Sequence, residues 1–174
     1  MGLAASCGII QFMKSDLSIR EAKFEDIPAL RTLLADDDLG RTREDLSEAG
    51  LVKYQHAFQA IDASPDNELF VAEQDGDLVG TFQLTWIPYL SRGGSLRCLI
   101  EAVRVASSRR GQGLGAEMMR FAIERAREKD CALVQLTTDR TRSKAHRFYQ
   151  KLGFVWTHQG MKLALSSSPG QTER

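Results

Sequence analysis

A glycine-rich turn between a predicted strand and a predicted helix constrains this chain more than any other feature of its sequence. The turn, residues 110–115, reads RGQGLG. Three glycines let the backbone turn tightly and approach a ligand closely, and the first N–H groups of the helix that follows have no partner inside that helix. Such a position attracts phosphate. We therefore predict an anion-binding turn here, with a ligand-free turn as the alternative.

Two kinds of nucleotide site could use such a turn. Gly111, Gly113 and Ala116 satisfy the dinucleotide fingerprint G-x-G-x-x-G/A, and Asp139 lies where a ribose-binding acid would be sought. A doubly wound dinucleotide fold needs several strand–helix–strand units, however, and only one surrounds the turn. No Gly-Lys-Ser/Thr sequence ends it, so a nucleoside triphosphate loop is excluded. A nicotinamide-dependent oxidoreductase remains a less favoured alternative.

The other elements are predicted from hydrophobic periodicity and turn residues. Asp75-Gly76 favours a tight hairpin turn between antiparallel strands, and Gly153 stops a helix where a left-handed cap is needed. Antiparallel hairpins followed by a strand–helix–strand unit predict an α/β (α+β) fold with a mixed sheet flanked by helices. In chain order we expect a strand at 17–22, helices at 25–34 and 43–61, strands at 69–73, 78–86 and 96–105, a helix at 113–129, a strand at 132–137, a helix at 145–152, and closing strands at 154–156 and 161–165.

The composition is typical of one soluble domain of 174 residues, 43% of them hydrophobic and 26% charged. We assign this domain to residues 15–165, preceded by a flexible extension over 1–14 and followed by a disordered, Ser-, Pro- and Gly-containing tail over 166–174. The N-terminus carries the Met-Gly-x-x-x-Ser myristoylation pattern. Its apolar run, residues 2–12, has no basic residue before it and is too short to span a membrane. We expect a cytoplasmic protein without a membrane partner, in which residues 1–12 are an upstream start or a frayed tail.

The charge balance and the placement of the cysteines argue against nucleic-acid binding, a disulfide-linked fold and a metal site. The 23 Lys and Arg residues balance the 23 Asp and Glu residues, whereas nucleic-acid-binding proteins normally carry a basic surplus. Cys7, Cys98 and Cys131 are odd in number and far apart, and the three histidines lie on separate predicted elements. We therefore expect no nucleic-acid partner, no disulfide framework and no metal site.

Several sequence blocks, in this order and spacing, resemble the GNAT N-acetyltransferase superfamily. Its signature after the fourth strand is Arg or Gln, two residues, Gly, one residue, then Gly or Ala, matched here by Arg110, Gly113 and Gly115. The resemblance covers about residues 17–165. It implies a mostly antiparallel central sheet of about six to seven strands that splays beside the CoA-binding strand. The further blocks are IREA at 19–22, LIEAVRV at 99–105 and AHRFYQKLGF at 145–154.

The resemblance implies that acetyl-CoA is the cosubstrate. Its pantetheine arm would run beside Val103 and Val105, where parallel strands splay apart. Many members carry Asn three residues before the Ala of the last helix block, where this chain has Arg142; this arginine either reaches a CoA phosphate or faces solvent. Main-chain amides of the turn would bind the pyrophosphate: Arg110, Gly111, Gln112, Gly113, Leu114, Gly115 and Ala116.

Acetyl transfer to an amine first requires a base, because a Lys-like amine titrates near about 10.4. Glu101 is our candidate. We expect it to share a face of its strand with Leu99, Val103 and Val105, and an acid embedded among such apolar neighbours should have a raised pKa. The alternative is a structural pairing of Glu101 with a neighbouring arginine, Arg97 or Arg104.

The thioester carbonyl oxygen also requires a hydrogen-bond donor, and the leaving thiolate requires a proton donor. The Val103 N–H could polarise the oxygen, and Tyr149 matches the family's general-acid tyrosine, the alternative being a core aromatic residue. An acetyl-cysteine route would use Cys98 or Cys131. Neither adjoins a His or a helix N-terminus in the predicted elements, so direct transfer in a ternary complex is preferred.

The acceptor pocket of the family is built from the two early helices, their loop and the strand ends opposite CoA. Carboxylates and aromatic rings there would suit a cationic amine: a polyamine, an aminoglycoside, a protein lysine or an N-terminus. The alternative is a solvated acidic face, and the alternative function is a catalytically silent CoA-binding module. Because the family often dimerises, a homodimer is a further expectation. The residues concerned are Asp36, Asp37, Asp38, Glu44, Asp45, Glu48, Tyr54, Trp86 and Tyr89.

Overall fold

Five strands form one sheet in the order β1-β2-β3-β4-β5. The computed structural model describes residues 17–37, 40–163 and 165. The elements are β1 Ser18–Glu21, a 3-10 turn Phe24–Asp26, α1 Ile27–Leu34, α2 Glu48–Asp62, β2 Asn67–Gln74, β3 Asp77–Pro88, the one-turn segment α3 Ser91–Gly94, β4 Leu96–Val105, a second 3-10 turn Ser107–Arg109, α4 Leu114–Glu128, β5 Cys131–Leu136 and α5 Ser143–Lys151.

The strand pairing confirms the mixed, mostly antiparallel sheet. Strands β1 to β4 pair antiparallel in succession, and only β4 and β5 are parallel. Asp75 and Gly76 make the β2–β3 turn with φ values of 55° and 82°, the two positive values that a two-residue hairpin turn favours. A doubly wound dinucleotide fold, which requires a largely parallel sheet, is therefore not the fold of the described residues.

The main core lies between the sheet and α4. Phe82 and Leu84 are fully buried on β3, and Phe121 of α4 meets the Phe82 ring edge-on at 6.1 Å. The helix approaches β3 so closely that a Cβ added to Gly80 would lie 2.6 Å from the sulfur of Met118. The glycine therefore lets α4 pack directly against the strand.

The opposite face of the sheet carries α1 and α2. Helix α2 begins at Glu48 rather than at the predicted residue 43, because the Ser47 hydroxyl accepts a hydrogen bond from the Gly50 N–H at 3.1 Å and caps the helix there. The buried Arg31 of α1 donates to the main-chain oxygens of Asp45 and Ser47 at 3.0 and 2.8 Å. These contacts hold the residues before Ser47 outside the helix.

A bulge at Ala102 reverses the side-chain alternation of β4. Ala102 has a φ of 52°, and β4 has one more residue than β3 between their pairs on either side of it. Ile100 and, beyond the bulge, Val103 and Val105 consequently all pack against the α4-side core. The expectation that Glu101 shares a face with Val103 and Val105 is wrong, since period-two alternation stops at the bulge.

The closing strands predicted at 154–156 and 161–165 are not found. Residues 154–163 have no strand structure, and residue 164 lies outside the described ranges. The alternation of Met161, Leu163 and Leu165 suits a strand, but none of the strands in the described ranges pairs with these residues. The described residues therefore form five strands instead of six or seven, and β5 is an edge strand. The extension over 1–14 and the tail over 166–174 lie outside the described residues.

Candidate functional site

The glycine-rich turn connects the end of β4 to α4, as predicted. Gly111 and Gly113 have φ values of 80° and 89°, in the region where residues with a Cβ are strained. A Cβ added to either would meet no atom within 4 Å. Glycine is therefore needed at these two positions for backbone conformation and not for want of space.

The turn presents main-chain donors that the protein leaves unused. Within the described residues, no hydrogen bond comes from the main-chain N–H groups of residues 111–115. The Ala116 N–H, by contrast, donates to the Gly113 oxygen at 2.9 Å. Unpaired N–H groups at the start of a 15-residue helix can bind an anion. The Ala116 N–H is less available for this than those of residues 111–115, because it is already paired.

Arg110 lies across the base of this turn. Its Nε donates to the Val105 oxygen at 3.0 Å, and its Nη2 donates to the Asp36 oxygen at 2.7 Å. The Asp36 carboxylate also accepts a hydrogen bond from the Ser107 hydroxyl at 3.0 Å. These contacts attach the turn to the loop that follows α1.

Strands β4 and β5 separate beside the turn. Their last pair is Ile100 with Leu136, while β4 continues to Val105. Val103 and Val105 lie on this unpaired stretch, and the Val103 oxygen accepts a hydrogen bond from Arg104 Nη1 at 3.0 Å. The separation matches the splay that the family resemblance implies.

A partly buried ion cluster near the splay brings together charged residues that lie far apart in the sequence. Asp37 Oδ2 lies 3.0 Å from Arg142 Nη2 and 3.8 Å from Arg104 Nε, and the Asp37 side chain is only 11% exposed. Burial acts to raise the pKa of Asp37, but the Gly40 N–H, Arg104 and Arg142 together hold it below its ordinary value. Arg142 is thus paired with Asp37, a contact for which a separation of 105 residues leaves no sequence signal.

Tyr149 borders this cluster. Its half-buried ring packs edge-on against Phe148 at 5.1 Å and Phe154 at 5.9 Å. Burial raises the pKa of the Tyr149 phenol, while the charges of Arg142 and Arg104 oppose that rise. The phenol therefore keeps its proton at neutral pH, as a proton donor must.

Glu101 has a different environment from the one expected. Its side chain is exposed instead of embedded among apolar neighbours. Within the described residues no ion pair joins it to Arg97 or Arg104. Arg97 donates instead to the Tyr89 hydroxyl and to Gln135, both at 3.2 Å. The Glu101 carboxylate is consequently open to solvent and to a ligand.

The expected acidic acceptor face is mostly taken up by internal contacts. Beyond the Asp36 and Asp37 pairs, Glu44 accepts a hydrogen bond from the Tyr54 hydroxyl. Burial and this bond raise the pKa of Tyr54 to about 12. Trp86 is buried, with Lys129 Nζ 5.0 Å from its ring centre. These groups are therefore engaged within the fold, and Asp38 lies outside the described residues.

An apolar cavity of about 100 Å³ instead lies under α1 and α2 and extends to Ala102 of the bulge. Tyr54, Thr81 and Gln83 bring polar atoms to its otherwise apolar wall. A larger cavity of about 230 Å³ lies between the end of α2 and the start of β2, away from the turn. The smaller cavity is therefore the one that adjoins the bulged strand.

The described residues offer neither a metal-binding group nor an activated cysteine nucleophile. No group of three or more His, Cys, Asp or Glu side chains in the described ranges is arranged to hold a metal ion. Burial raises the pKa of the Cys98 thiol to about 12 and also raises that of Cys131, so neither is an activated nucleophile.

No helix in the described part of the chain is long and apolar enough to cross a membrane.

Comparison with known proteins decides the family. The model of the acetyltransferase (GNAT) family matches residues 28–154. The chain belongs to the GNAT acetyltransferase family. It is 30% identical over 105 residues to the aminoalkylphosphonate N-acetyltransferase of Salmonella typhimurium, covering 60% of this chain and 68% of that protein. It is 36% identical over 98 residues to the glucosamine 6-phosphate N-acetyltransferase of Trypanosoma brucei brucei, covering 56% and 65%.

Solved structures extend this GNAT assignment to the fold. A crystal structure described as a transcriptional regulator from Bacillus halodurans C-125 is 46% identical, with a TM-score of 0.82, and covers 86% of this chain and 99% of that one. The family match and this likeness confirm both the GNAT resemblance and the mixed α/β fold expected from the sequence.

Proposed function

We propose that this GNAT protein transfers the acetyl group of acetyl-CoA to a primary amine by direct attack in a ternary complex. The observation that carries the proposal is the turn at 111–115, whose unpaired N–H groups adjoin the open edge of β4. Both curated relatives above are named as N-acetyltransferases, which supports the same reaction class for this chain.

The residues present fit acetyl-CoA, which when bound supplies the acetyl thioester. The free amides of residues 111–115 and the N-terminus of α4 would bind the pyrophosphate. Leu114 and Gly115 contribute two of these amides, and Gln112 contributes another. The open main-chain edge at Val103 and Val105 would hold the extended arm, and Arg110 and Arg142 would supply positive charge near it.

The chain offers a group for each proton. Glu101, exposed and unpaired in the described structure, would accept a proton from the acceptor amine through water. Tyr149, whose pKa is raised by burial, would hold the proton that the leaving thiolate requires. The Val103 N–H would donate toward the developing oxyanion. The high thiol pKa of Cys98 and Cys131 favours this direct route over an acetyl-cysteine.

The acceptor that we favour is a small primary amine. The cavity that reaches Ala102 is small and mostly apolar, which suits a short amine-bearing group better than a flat protein surface. The names of the two curated relatives also refer to small acceptors, an aminoalkylphosphonate and glucosamine 6-phosphate. Polyamines, aminoglycosides and peptide amines are the other acceptors to be tested.

Calorimetry with acetyl-CoA, followed by thiol release across an amine panel, tests the proposal. The panel holds an aminoalkylphosphonate, an amino sugar phosphate, a polyamine, an aminoglycoside and a lysine peptide. We expect acetyl-CoA to bind and at least one amine to accelerate thiol release. Binding with no amine-dependent release would indicate a silent CoA-binding module, and absence of acetyl-CoA binding would overturn the proposal.

The substitution Tyr149→Phe tests whether Tyr149 donates the proton to the leaving thiolate. Removing the hydroxyl while keeping the ring should lower kcat by about 100-fold or more, the usual range for an acid–base group. Tyr89→Phe is the matched control. Tyr89 was expected in the acceptor pocket, but it packs on Arg97 at the start of β4, whereas Val103 and Val105 lie at the other end of that strand. An unchanged kcat in Tyr149→Phe would refute its role while leaving the transferase activity itself intact.

A further inference from the structure

The hydroxyl groups that line the cavity under α1 and α2 have already donated their protons. We call this cavity of about 100 Å³, which reaches Ala102, the bulge cavity. The Thr81 hydroxyl donates to the Phe70 oxygen at 2.8 Å, and the Tyr54 hydroxyl donates to Glu44. Neither hydroxyl therefore has a proton left to donate to a ligand in the cavity.

The third polar side chain of the wall, Gln83, offers a hydrogen-bond acceptor. Its Nε2 donates to Asn67 Oδ1 at 3.1 Å, and the same oxygen accepts a hydrogen bond from the Thr85 hydroxyl at 2.8 Å. The Asn67 amide nitrogen donates in turn to Ser64 Oγ at 2.9 Å. This network fixes the orientation of the Gln83 amide, whose Oε1 takes part in no hydrogen bond within the described residues.

The Glu101 carboxylate lies beside this amide oxygen. Gln83 and Glu101 are directly opposite each other in the pairing of β3 with β4, which places their Cβ atoms about 4.5–5.5 Å apart on one face of the sheet. Glu101 immediately precedes Ala102 at the end of the bulge cavity, and its side chain is exposed. Both groups accept hydrogen bonds, so the ligand group that fits between them is a donor such as an amine.

The rest of the bulge cavity determines what the amine carries. Its wall is otherwise apolar and includes Leu30, Leu34 and Phe58. An apolar cavity of about 150 Å³ in another protein binds benzene, so a cavity of about 100 Å³ holds about four carbon atoms in proportion. A phosphate or phosphonate would lose its hydration there without a side-chain donor from the described wall to replace it.

We propose that the acceptor is a short alkylamine, with its nitrogen between Gln83 Oε1 and the Glu101 carboxylate and its carbon chain in the bulge cavity. The inference rests on the proposed acetyl transfer and narrows its acceptor. Acetylation joins the neutral amine nitrogen to the acetyl carbon and breaks the C–S bond, and the proton that the nitrogen loses balances the one that the thiolate gains. Gln83 is thus a specificity-determining residue, and Asn67 is a positioning residue that acts through it.

A series of n-alkylamines from methylamine to hexylamine tests the acceptor class, with thiol release measured at saturating acetyl-CoA. Each methylene that enters the cavity should raise kcat/KM about 4-fold, and the gain should end at about four carbons. Release driven by an amino sugar phosphate or an aminoalkylphosphonate, but by no alkylamine, would overturn this inference and leave the transferase proposal standing. Failure to bind acetyl-CoA in calorimetry, or binding without release for any amine, would overturn both.

The substitution Gln83→Met tests the amide oxygen. Methionine keeps the length of the side chain but accepts hydrogen bonds weakly, so the KM for butylamine should rise about 10-fold while the affinity for acetyl-CoA stays that of wild type. Thr85→Val is the matched control, because Thr85 bonds the same Asn67 oxygen but does not line the bulge cavity. Equal KM values for the two variants would overturn the role of Gln83.

The substitution Leu34→Ala tests whether the carbon chain occupies the bulge cavity. Leu34, at the end of α1, lines the cavity, so its truncation makes room for longer chains. The ratio of kcat/KM for hexylamine to that for butylamine should rise about 10-fold, a gain that general damage to the fold would not produce. Leu51→Ala on α2 is the matched control, since Leu51 is also half-buried and does not line the cavity. An unchanged ratio in Leu34→Ala would overturn this placement of the chain.

Discussion

Replacing Gly113 with alanine tests whether the conformation of the turn is needed for stability and for acetyl-CoA binding. Gly113 has a φ of 89° and a ψ of −11°, which costs an alanine about 1–2 kcal/mol. An added Cβ there meets nothing within 4 Å, so no steric term adds to this strain. Gly115→Ala is the matched control, because Gly115 has no positive φ and its added Cβ would make an ordinary 3.4 Å contact with Phe148.

Both variants reduce the conformational entropy of the unfolded chain to the same extent, so the difference between them isolates the strain. We expect Gly113→Ala to unfold about 2–8 °C below Gly115→Ala in a thermal melt without ligand, since 1 kcal/mol corresponds to about 2–4 °C at this chain length. Calorimetry should also show about a 10-fold weaker acetyl-CoA affinity for Gly113→Ala than for wild type, because relieving the strain moves the donors. Equal melting temperatures and an unchanged affinity would refute the reasoning.

Two further substitutions test the ion cluster and the core. The pKa of Asp37 lies below its ordinary 3.8 in the folded protein, so its charge stabilises the fold above that pH, and this contribution is lost as the pH falls through the folded value. Asp37→Asn should therefore cost about 1–3 kcal/mol in urea unfolding at pH 7, with the difference from wild type shrinking below pH 3.8; a pH-independent difference would contradict this. Gly80→Ala should lower the unfolding free energy by about 1–3 kcal/mol, because its Cβ would lie 2.6 Å from the Met118 sulfur. An unchanged urea midpoint would show that Met118 moves aside freely.

Much of the fold follows from local pattern. The span of β4 was predicted at its observed limits, 96–105, because alternation and flanking turn residues define a strand at both ends. The turn at 110–115 was predicted with its place before α4, since its glycines and the apolar spacing of the helix are both local signals. Features of this kind depend on residues close in sequence, which a single sequence contains.

The remaining features depend on long-range contacts. The bulge at Ala102 adds one residue to β4 without changing its composition, so the surroundings of Glu101 were predicted wrongly. The contact between Asp37 and Arg142 joins residues that no local pattern links. Residues 161–165 have the alternation of a strand, but alternation alone does not show whether a neighbouring strand is available for pairing.

The bulge also determines how β4 responds to changes in length. Exposed positions usually tolerate small insertions and deletions, and Glu101 next to the bulge is exposed. Deleting Ala102 would remove the extra residue and restore regular alternation along the strand. Val103 and Val105 would stay on the same face as Ile100, so the strand should keep its packing against α4 after the loss of this single codon and lose only the local bend that the bulge produces.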